Sequence, residues 1–346
     1  MRIDTLGTTL QRRKLFHIKG NIPLIGHIAF GVIDRGTNLI QVRPSSLCPL
    51  SCIFCSVDAG PYSLRRVTEY LVELRQLVEW VKWSIEVKGL RKAQIHVDSV
   101  GDPLTYPRIV EFINLVSSMK NVDVVSLETR GALLTEKLVE RLDEVGLSRI
   151  NLSIDALDPK LARYLSGTPW FNVKKVLEIA RYITSSLKMD LIITPVWVPG
   201  VNDEEIPKII EFALNIGAGK RWPPLGIQKY EAHKYGRKPK GVKPLTWYHF
   251  YNKLREWESE YGVKLILSPK DFGIVKAKSV PKAYKRGEKA SVTVAGPGWF
   301  KGQWIATGRG RVLTIVGVKG EPDIGRKVKV RVLRNKDNIY VAEPVY

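Results

Sequence analysis

Cysteine is nearly absent from this sequence: three residues in 346, all between positions 48 and 55. An odd count in one short cluster excludes a disulfide framework and points to a metal site in a reducing compartment. Long apolar runs are missing too. No stretch reaches the roughly eighteen consecutive apolar residues of a membrane span. The opening residues, MRIDTLGTTLQRRKLF, lack the apolar centre of a signal peptide. A cytoplasmic protein with no membrane partner is expected. Acidic charge is in short supply: 34 Asp+Glu face 55 Lys+Arg, a net +21. Thermophilic surfaces are also rich in charge, but usually as balanced networks. The excess therefore favours a polyanionic partner, nucleic acid ahead of anionic lipid. Hydrophobic residues still make up 44%, enough for a sizeable core.

From residue 93 onward, strand-like and helix-like segments alternate. AQIHVDSV (93–100), VDVVSLET (122–129), RINLSIDAL (149–157), MDLIITPVWV (189–198) and PPLGIQKYE (223–231) read as buried strands. Amphipathic helices separate them, with Thr135 and Asn202 as caps. With the strand before the cysteines, this makes about six βα units. The class is α/β: a partial (β/α)6 TIM-like barrel over 41–267, after a strand-rich extension over 1–40. In the span 63–89, Leu64, Val67, Leu71, Leu74, Val78, Val81 and Ile85 step by three or four. That spacing predicts one long helix from Ser63 to Gly89. Residues 268–283 read as a linker. Beyond them the period changes to two, and five short strands over 284–346 predict a small OB-like β-barrel.

The cysteines stand as C-x3-C-x2-C in RPSSLCPLSCIFCSVDAGP. Cysteine thiolates hold iron–sulfur clusters. Three of them on a [4Fe–4S] cube leave one iron open to another ligand. The competing reading is structural zinc. Zinc would need a fourth ligand, for which His96 is the nearest His on the C-terminal side, and normally a second Cys or His pair, which the sequence lacks.

The run Cys48-Pro-Leu-Ser-Cys52-Ile-Phe-Cys55 after a strand resembles the radical S-adenosylmethionine (SAM) superfamily. The resemblance implies that Cys48, Cys52 and Cys55 ligate a [4Fe–4S] cluster and that SAM binds its fourth iron. It also implies reductive cleavage of SAM to a 5′-deoxyadenosyl radical that takes a hydrogen atom from substrate. An electron donor such as ferredoxin or flavodoxin would supply the electron, and a partner protein is possible.

SVGDPLTYP (99–107) looks like the family's Gly-Gly-Glu-Pro segment, with Val100 and Asp102 in place of the first Gly and the Glu. This assigns Phe54, Val100, Gly101, Asp102 and Pro103 to the SAM site. The plain alternative for Gly-Asp-Pro is a turn. At later strand ends, Glu128 could face SAM or pair with Arg130. Ser153 and Asp155 alternate to one face and resemble the family's fourth-strand polar pair. The segment around Val198 resembles the adenine-contacting region. GIQKYEAHKYGRK (226–238) resembles the sixth-strand segment of archaeal predicted Fe–S oxidoreductases, with Gln228 at the barrel mouth. Asp98, Arg130, Glu231, His233, Lys234 and Tyr235 are candidates for acid–base work or substrate contact. A solvated basic loop is the plain reading of the last four.

Residues 284–346 contain thirteen Lys/Arg and five Asp/Glu. Arg286, Lys289, Trp299, Lys301, Trp304, Arg309 and Arg311 interleave basic and aromatic side chains, as phosphate neutralisation and base stacking require. The segment resembles a TRAM-type RNA-binding domain, so tRNA or rRNA is the expected partner. The alternative is a barrel that packs on the first domain with its Trp in the core. Relatives that transfer methylthio or methyl groups on RNA use additional cysteines, and this sequence has none. Chemistry by the adenosyl radical alone remains. A small-molecule or protein substrate, and a non-catalytic RNA-binding protein with a structural metal, are the other readings.

Overall fold

A computed structural model describes residues 4–345. The first half of the chain forms β1 (Asp4–Thr8), β2 (Lys14–Ile18), β3 (Gly31–Asp34), β4 (Leu39–Arg43), β5 (Thr68–Val72), α1 (Leu74–Lys88), β6 (Ala93–Val97), α2 (Ile109–Ser117), β7 (Val122–Thr129), α3 (Glu136–Glu144) and β8 (Arg149–Leu152). Then come α4 (Pro159–Ser166), α5 (Val173–Ser186), β9 (Asp190–Ile193), β10 (Val196–Trp197), α6 (Glu205–Asn215), β11 (Gln228–Lys229) and α7 (Trp247–Tyr261). The last part contains β12 (Lys289–Pro297), β13 (Gln303–Gly308), β14 (Arg311–Val316), β15 (Lys327–Arg334) and β16 (Tyr340–Pro344). Among the described residues no helix is long and apolar enough to cross a membrane.

The central sheet has the order β3-β4-β6-β7-β8-β9, parallel except for the β3 edge. Leu225 continues it by a parallel bridge to Ile193, and β10 pairs with β11 in parallel. The expected fifth strand is therefore split, as Pro195 cannot donate to a ladder. The expected strand-rich extension supplies β1, β2 and β3, although its residues 1–3 lie outside the described set. Strands β6 to β9 are buried on both faces, which is why they read as near-continuous apolar runs.

The expected single helix over 63–89 is not formed. Thr68–Val72 is β5, parallel to β2, and α1 begins only after Glu73. The Glu73 carboxylate accepts from the N–H groups of Arg75 and Gln76, and Gly89 closes the helix in the left-handed region at φ 63°. Thr68, Tyr70 and Val72 are β-branched or aromatic at period two, and they suit the strand. Tyr70 N–H donates to Ser46 Oγ and Val72 N–H to the Pro44 carbonyl, so the strand lies against the start of the cysteine loop. Asn202 does not cap α6 either. Its amide bridges the Asp155 and Val196 carbonyls, and its oxygen accepts from Val198 N–H. Thr135 caps α3 as expected.

The last five strands close a barrel in the order β12-β13-β14-β16-β15, consistent with an OB-like domain. The barrel is seated on the sheet domain. Val312 N–H donates to the Ile25 carbonyl and Tyr340 N–H to the Gly26 carbonyl, both at 2.9 Å. A side chain at Gly26 would put its Cβ 2.0 Å from the Val312 carbonyl. The segment 268–283 is held along its length: Asn38 exchanges hydrogen bonds with Val275, and Asp34 accepts from Val280 N–H. The second Asp34 oxygen pairs with Lys88, which is buried at the end of α1. Lys88→Met would strand that carboxylate in the interior. It should cost about 3–5 kcal/mol, read as a lowered urea midpoint with unchanged slope.

Candidate active site

The cysteine loop follows β4, and backbone bonds from other elements fix its course. Ser51 N–H donates to the Ser166 carbonyl and Ile53 N–H to the Leu165 carbonyl, both at 3.0 Å. Gly167, left-handed at φ 56°, lets α4 approach so closely that a Cβ there would lie 2.2 Å from the Ser51 carbonyl. All three cysteines are free thiols, and they line one cavity of about 410 Å³. Burial pushes the Cys48 thiol well up and the Cys52 thiol up to about 11, with the neighbouring sulfurs adding to the effect. Ala59 N–H points at Cys55 Sγ from 3.2 Å.

Crowded, dehydrated thiols are poor thiolates on their own, and a cationic iron core supplies the missing charge. Among the described residues no three His, Cys, Asp or Glu side chains converge as ligands of a single ion. In a cube each thiolate binds a different iron, so the sulfurs need not meet at one point.

Two arginines hold the loop from below. Arg66 is fully buried and donates to the carbonyls of Ser46 at 2.8 Å, Val57 at 3.2 Å and Val100. Glu69 pairs with it and with Arg13. Burial pulls the Arg66 pKa down and pushes the Glu69 pKa up, each opposed by the other's charge. Arg237 donates to the Cys52 carbonyl at 2.6 Å, the Ala59 carbonyl at 2.6 Å and Asp58 at 2.7 Å. Arg66 had been read within a helix and Arg237 as part of a basic loop. Nothing in a single arginine's neighbours in sequence marks it as a clamp.

The cavity wall is built from the C-terminal ends of the strands. Phe54, Val100, Gly101, Glu128, Arg130, Ser153, Gln228, Glu231 and His233 line it, together with Val196, Lys229 and Tyr230. Gly101 lies so close to the cysteine loop that a Cβ would come 2.0 Å from the Leu47 carbonyl. Glu128 pairs with His96 at 3.4 Å rather than with Arg130. Arg130 pairs with Asp155 and lies 5.5 Å from the Phe54 ring centre. Burial works against the Arg130 charge, but Asp155 and Cys52 outweigh it and raise its pKa.

Several expected site residues have partners within the scaffold. Asp98 is committed to Arg43, with oxygens at 3.1 and 2.7 Å from its guanidinium. Asp102 accepts from Leu104 N–H, the Thr129 hydroxyl and Arg130 N–H, tying two strand ends together. Burial pushes its carboxyl up against those bonds. Pro103 opens the short 3-10 turn that Asp102 caps. Asp155 accepts from Val196 N–H and faces Arg130. Val198 is fully buried behind the wall, where Val196 takes the lining position. Lys234 and Tyr235 are exposed outside the cavity, and Tyr235 stacks on Phe300 at 5.3 Å.

The barrel residues divide in the same way. Trp299 is buried at 3% exposure, stacked on Phe300, and lies 4.4 Å from the Arg66 guanidinium. It therefore packs the barrel against the cysteine loop and offers no free face to a base. Arg311 is buried and donates to the Pro281 carbonyl. Arg309 pairs with Glu288 at 2.6 Å, and Trp304 donates weakly to the Gly320 carbonyl at 3.3 Å. Arg286, Lys289 and Lys301 are exposed.

Comparison with known proteins identifies the family. The Radical SAM superfamily description matches residues 42–213. An uncharacterized protein of Methanocaldococcus jannaschii is 42% identical over 99% of this chain and 83% of its own length. A GTP 3′,8-cyclase of Alkaliphilus oremlandii is 30% identical over 53% of this chain and 54% of its own. The match therefore spans about half of that cyclase. Among solved structures, Streptococcus suis SuiB bound to S-adenosylmethionine superposes with a TM-score of 0.50 at 18% identity, over 69% of this chain and 50% of SuiB. The chain belongs to the radical SAM superfamily. Its cofactors are those of that family, a [4Fe–4S] cluster and SAM.

Removing the Arg237 clamp takes one donor from Asp58 Oδ1 and one each from the Cys52 and Ala59 carbonyls. Arg237→Ala should lower stability by about 2–3 kcal/mol and open the 55–60 turn to proteolysis. Urea denaturation and limited digestion check this.

Proposed function

We propose that the protein modifies a nucleoside in tRNA or rRNA, with Cys48, Cys52 and Cys55 holding the cluster. The observation that carries the reading is the single cavity in which three free thiols face polar strand-end groups. When bound, the cluster and SAM supply reductive cleavage to a 5′-deoxyadenosyl radical that removes a hydrogen atom from substrate. The chain's own groups hold the reactants. The backbone from Ser99 to Gly101 and the Glu128 and Ser153 side chains offer acceptors and donors to an amino acid and a ribose. Arg130, fixed by Asp155, presents a permanent positive charge beside the thiols. Lys229, Tyr230, Glu231 and His233 line the same cavity, where a substrate base would sit. The Tyr230 hydroxyl is buried without a protein partner, which suits a ligand acceptor.

The RNA part of the reading is supported by the net charge of +21 and by the exposed basic residues of a barrel with OB-like strand order. The principal alternative is a free nucleotide. It draws on the aligned GTP 3′,8-cyclases, and the cavity's size and polar lining suit it as well.

Anaerobic reconstitution should yield about four irons per chain and reductive release of 5′-deoxyadenosine from SAM. Cys48→Ala, Cys52→Ala and Cys55→Ala should each abolish both. One bound zinc with no SAM cleavage would reject the enzyme reading. Nucleoside mass spectrometry of tRNA and rRNA from a strain lacking the gene should show one modification lost. An unchanged profile, with turnover of a free nucleotide, would establish the alternative.

A further inference from the structure

Part of the surface expected on the barrel is taken up by packing: Trp299 and Arg311 are buried. A surface of the same chemistry stands on the sheet domain. Residues 232–246 carry Lys234, Arg237, Lys238, Lys240 and Lys243 and no acidic residue. All but the clamping Arg237 are exposed. This loop runs directly into α7, whose first turn presents Trp247 and Tyr248 at 54% and 71% exposure. Tyr251 follows one turn later at 37%, stacked on Trp247 with ring centres 5.6 Å apart and planes 24° from parallel.

These rings are not the core face of α7. Phe250, Leu254 and Trp257 fill that role. The helix thus has a second aromatic face, turned to water and costly to keep there without a use. The acids of α7, Glu256, Glu258 and Glu260, stand in its last turns, away from the basic loop. The face also reaches the cavity. Lys229 lines the cavity, and its ammonium lies 4.8 Å from the Trp247 ring centre.

We propose that the basic loop 234–243 and the Trp247–Tyr251 face form a platform for unpaired RNA at the rim of the cavity. The lysines neutralise phosphates, and the exposed rings stack the bases beside the one presented for reaction. The proposal deepens the RNA reading and rests on it. Flat exposed rings next to a loop of one charge sign favour nucleotides over an acidic protein. A protein would use the charge but leave the ring faces without stacking partners.

The test uses the full-length protein and unfractionated tRNA, with a salt titration of affinity for each variant. Tyr248→Ala and Trp247→Ala should each weaken binding about tenfold, the range of one lost stack. Changing Lys238, Lys240 and Lys243 together to Gln should make the log–log salt slope shallower by about 2. Melting temperature checks folding. If Trp247→Ala unfolds the helix, the more exposed Tyr248→Ala carries the readout. Photo-crosslinks from thiouridine-substituted tRNA should map to peptides within 234–251. Wild-type affinity in every variant, or crosslinks on the barrel alone, would overturn the platform and leave the RNA reading standing. If the lysine variant weakens while both ring variants bind as wild type, the stacking role is overturned. If the wild-type protein shows no salt-dependent tRNA binding, the RNA reading itself falls, and the platform with it.

Discussion

A buried guanidinium holds this molecule's working parts in register. Arg66 cannot lose its charge, so its donors must find acceptors wherever the chain supplies them. They come from Ser46 ahead of the cysteines, Val57 behind them, Val100 at the end of the next strand, and Glu69 on β5. The aromatic face of Trp299 in the barrel covers the remaining side. Segments far apart in sequence are thereby ordered around one charge. Displacing any one of them would expose the others to an unpaired buried cation. Arg237 repeats the device on the opposite flank with the Cys52 and Ala59 carbonyls. The loop that carries the thiols is thus held by its backbone, and its sulfurs remain free to face the cavity.

Much of the fold was legible because periodicity reports burial. The strands at 93–97, 122–129, 149–152 and 190–193 were all visible as apolar runs, and the five short strands of the terminal barrel by their period of two. The span 63–72 was not, since its apolar residues satisfy a three-or-four spacing although Thr68–Val72 forms a strand. Only pairing with β2 and with Ser46 decides between the two. Of the candidate site, the placement of the cysteines and of the strand-end residues around one cavity was legible from position. The protein partners of Asp98, Asp102 and Asp155 were not legible, because a carboxylate at a strand end looks the same whether it faces a ligand or a neighbouring arginine. Trp299 was misjudged for a related reason: interleaved aromatic and basic residues do not reveal which side of a barrel faces its neighbour.

The division between cavity wall and scaffold has a chemical meaning. Asp98 and Asp102, the acids held away from the main cavity, are neutralised by hydrogen bonds or ion pairs within the protein. The charged groups left on the wall, Arg130, Lys229, Glu231 and Glu128, sit in or beside pairs that leave part of each group open to the cavity. The thiols therefore face a polar surface whose charges are already oriented.

The backbone bonds between Val312 and Ile25 and between Tyr340 and Gly26 have a further consequence. A module on a slack tether lets its cargo wander, and any portion of that cargo can reach a distant centre. Here the barrel is a fixed wall, so the span from its outer surface to the thiols is a constant of the molecule. A polymer gripped on that wall would be measured as if by a gauge: the unit brought to the thiols would be the one lying a set length from the grip, whatever the identity of the units between.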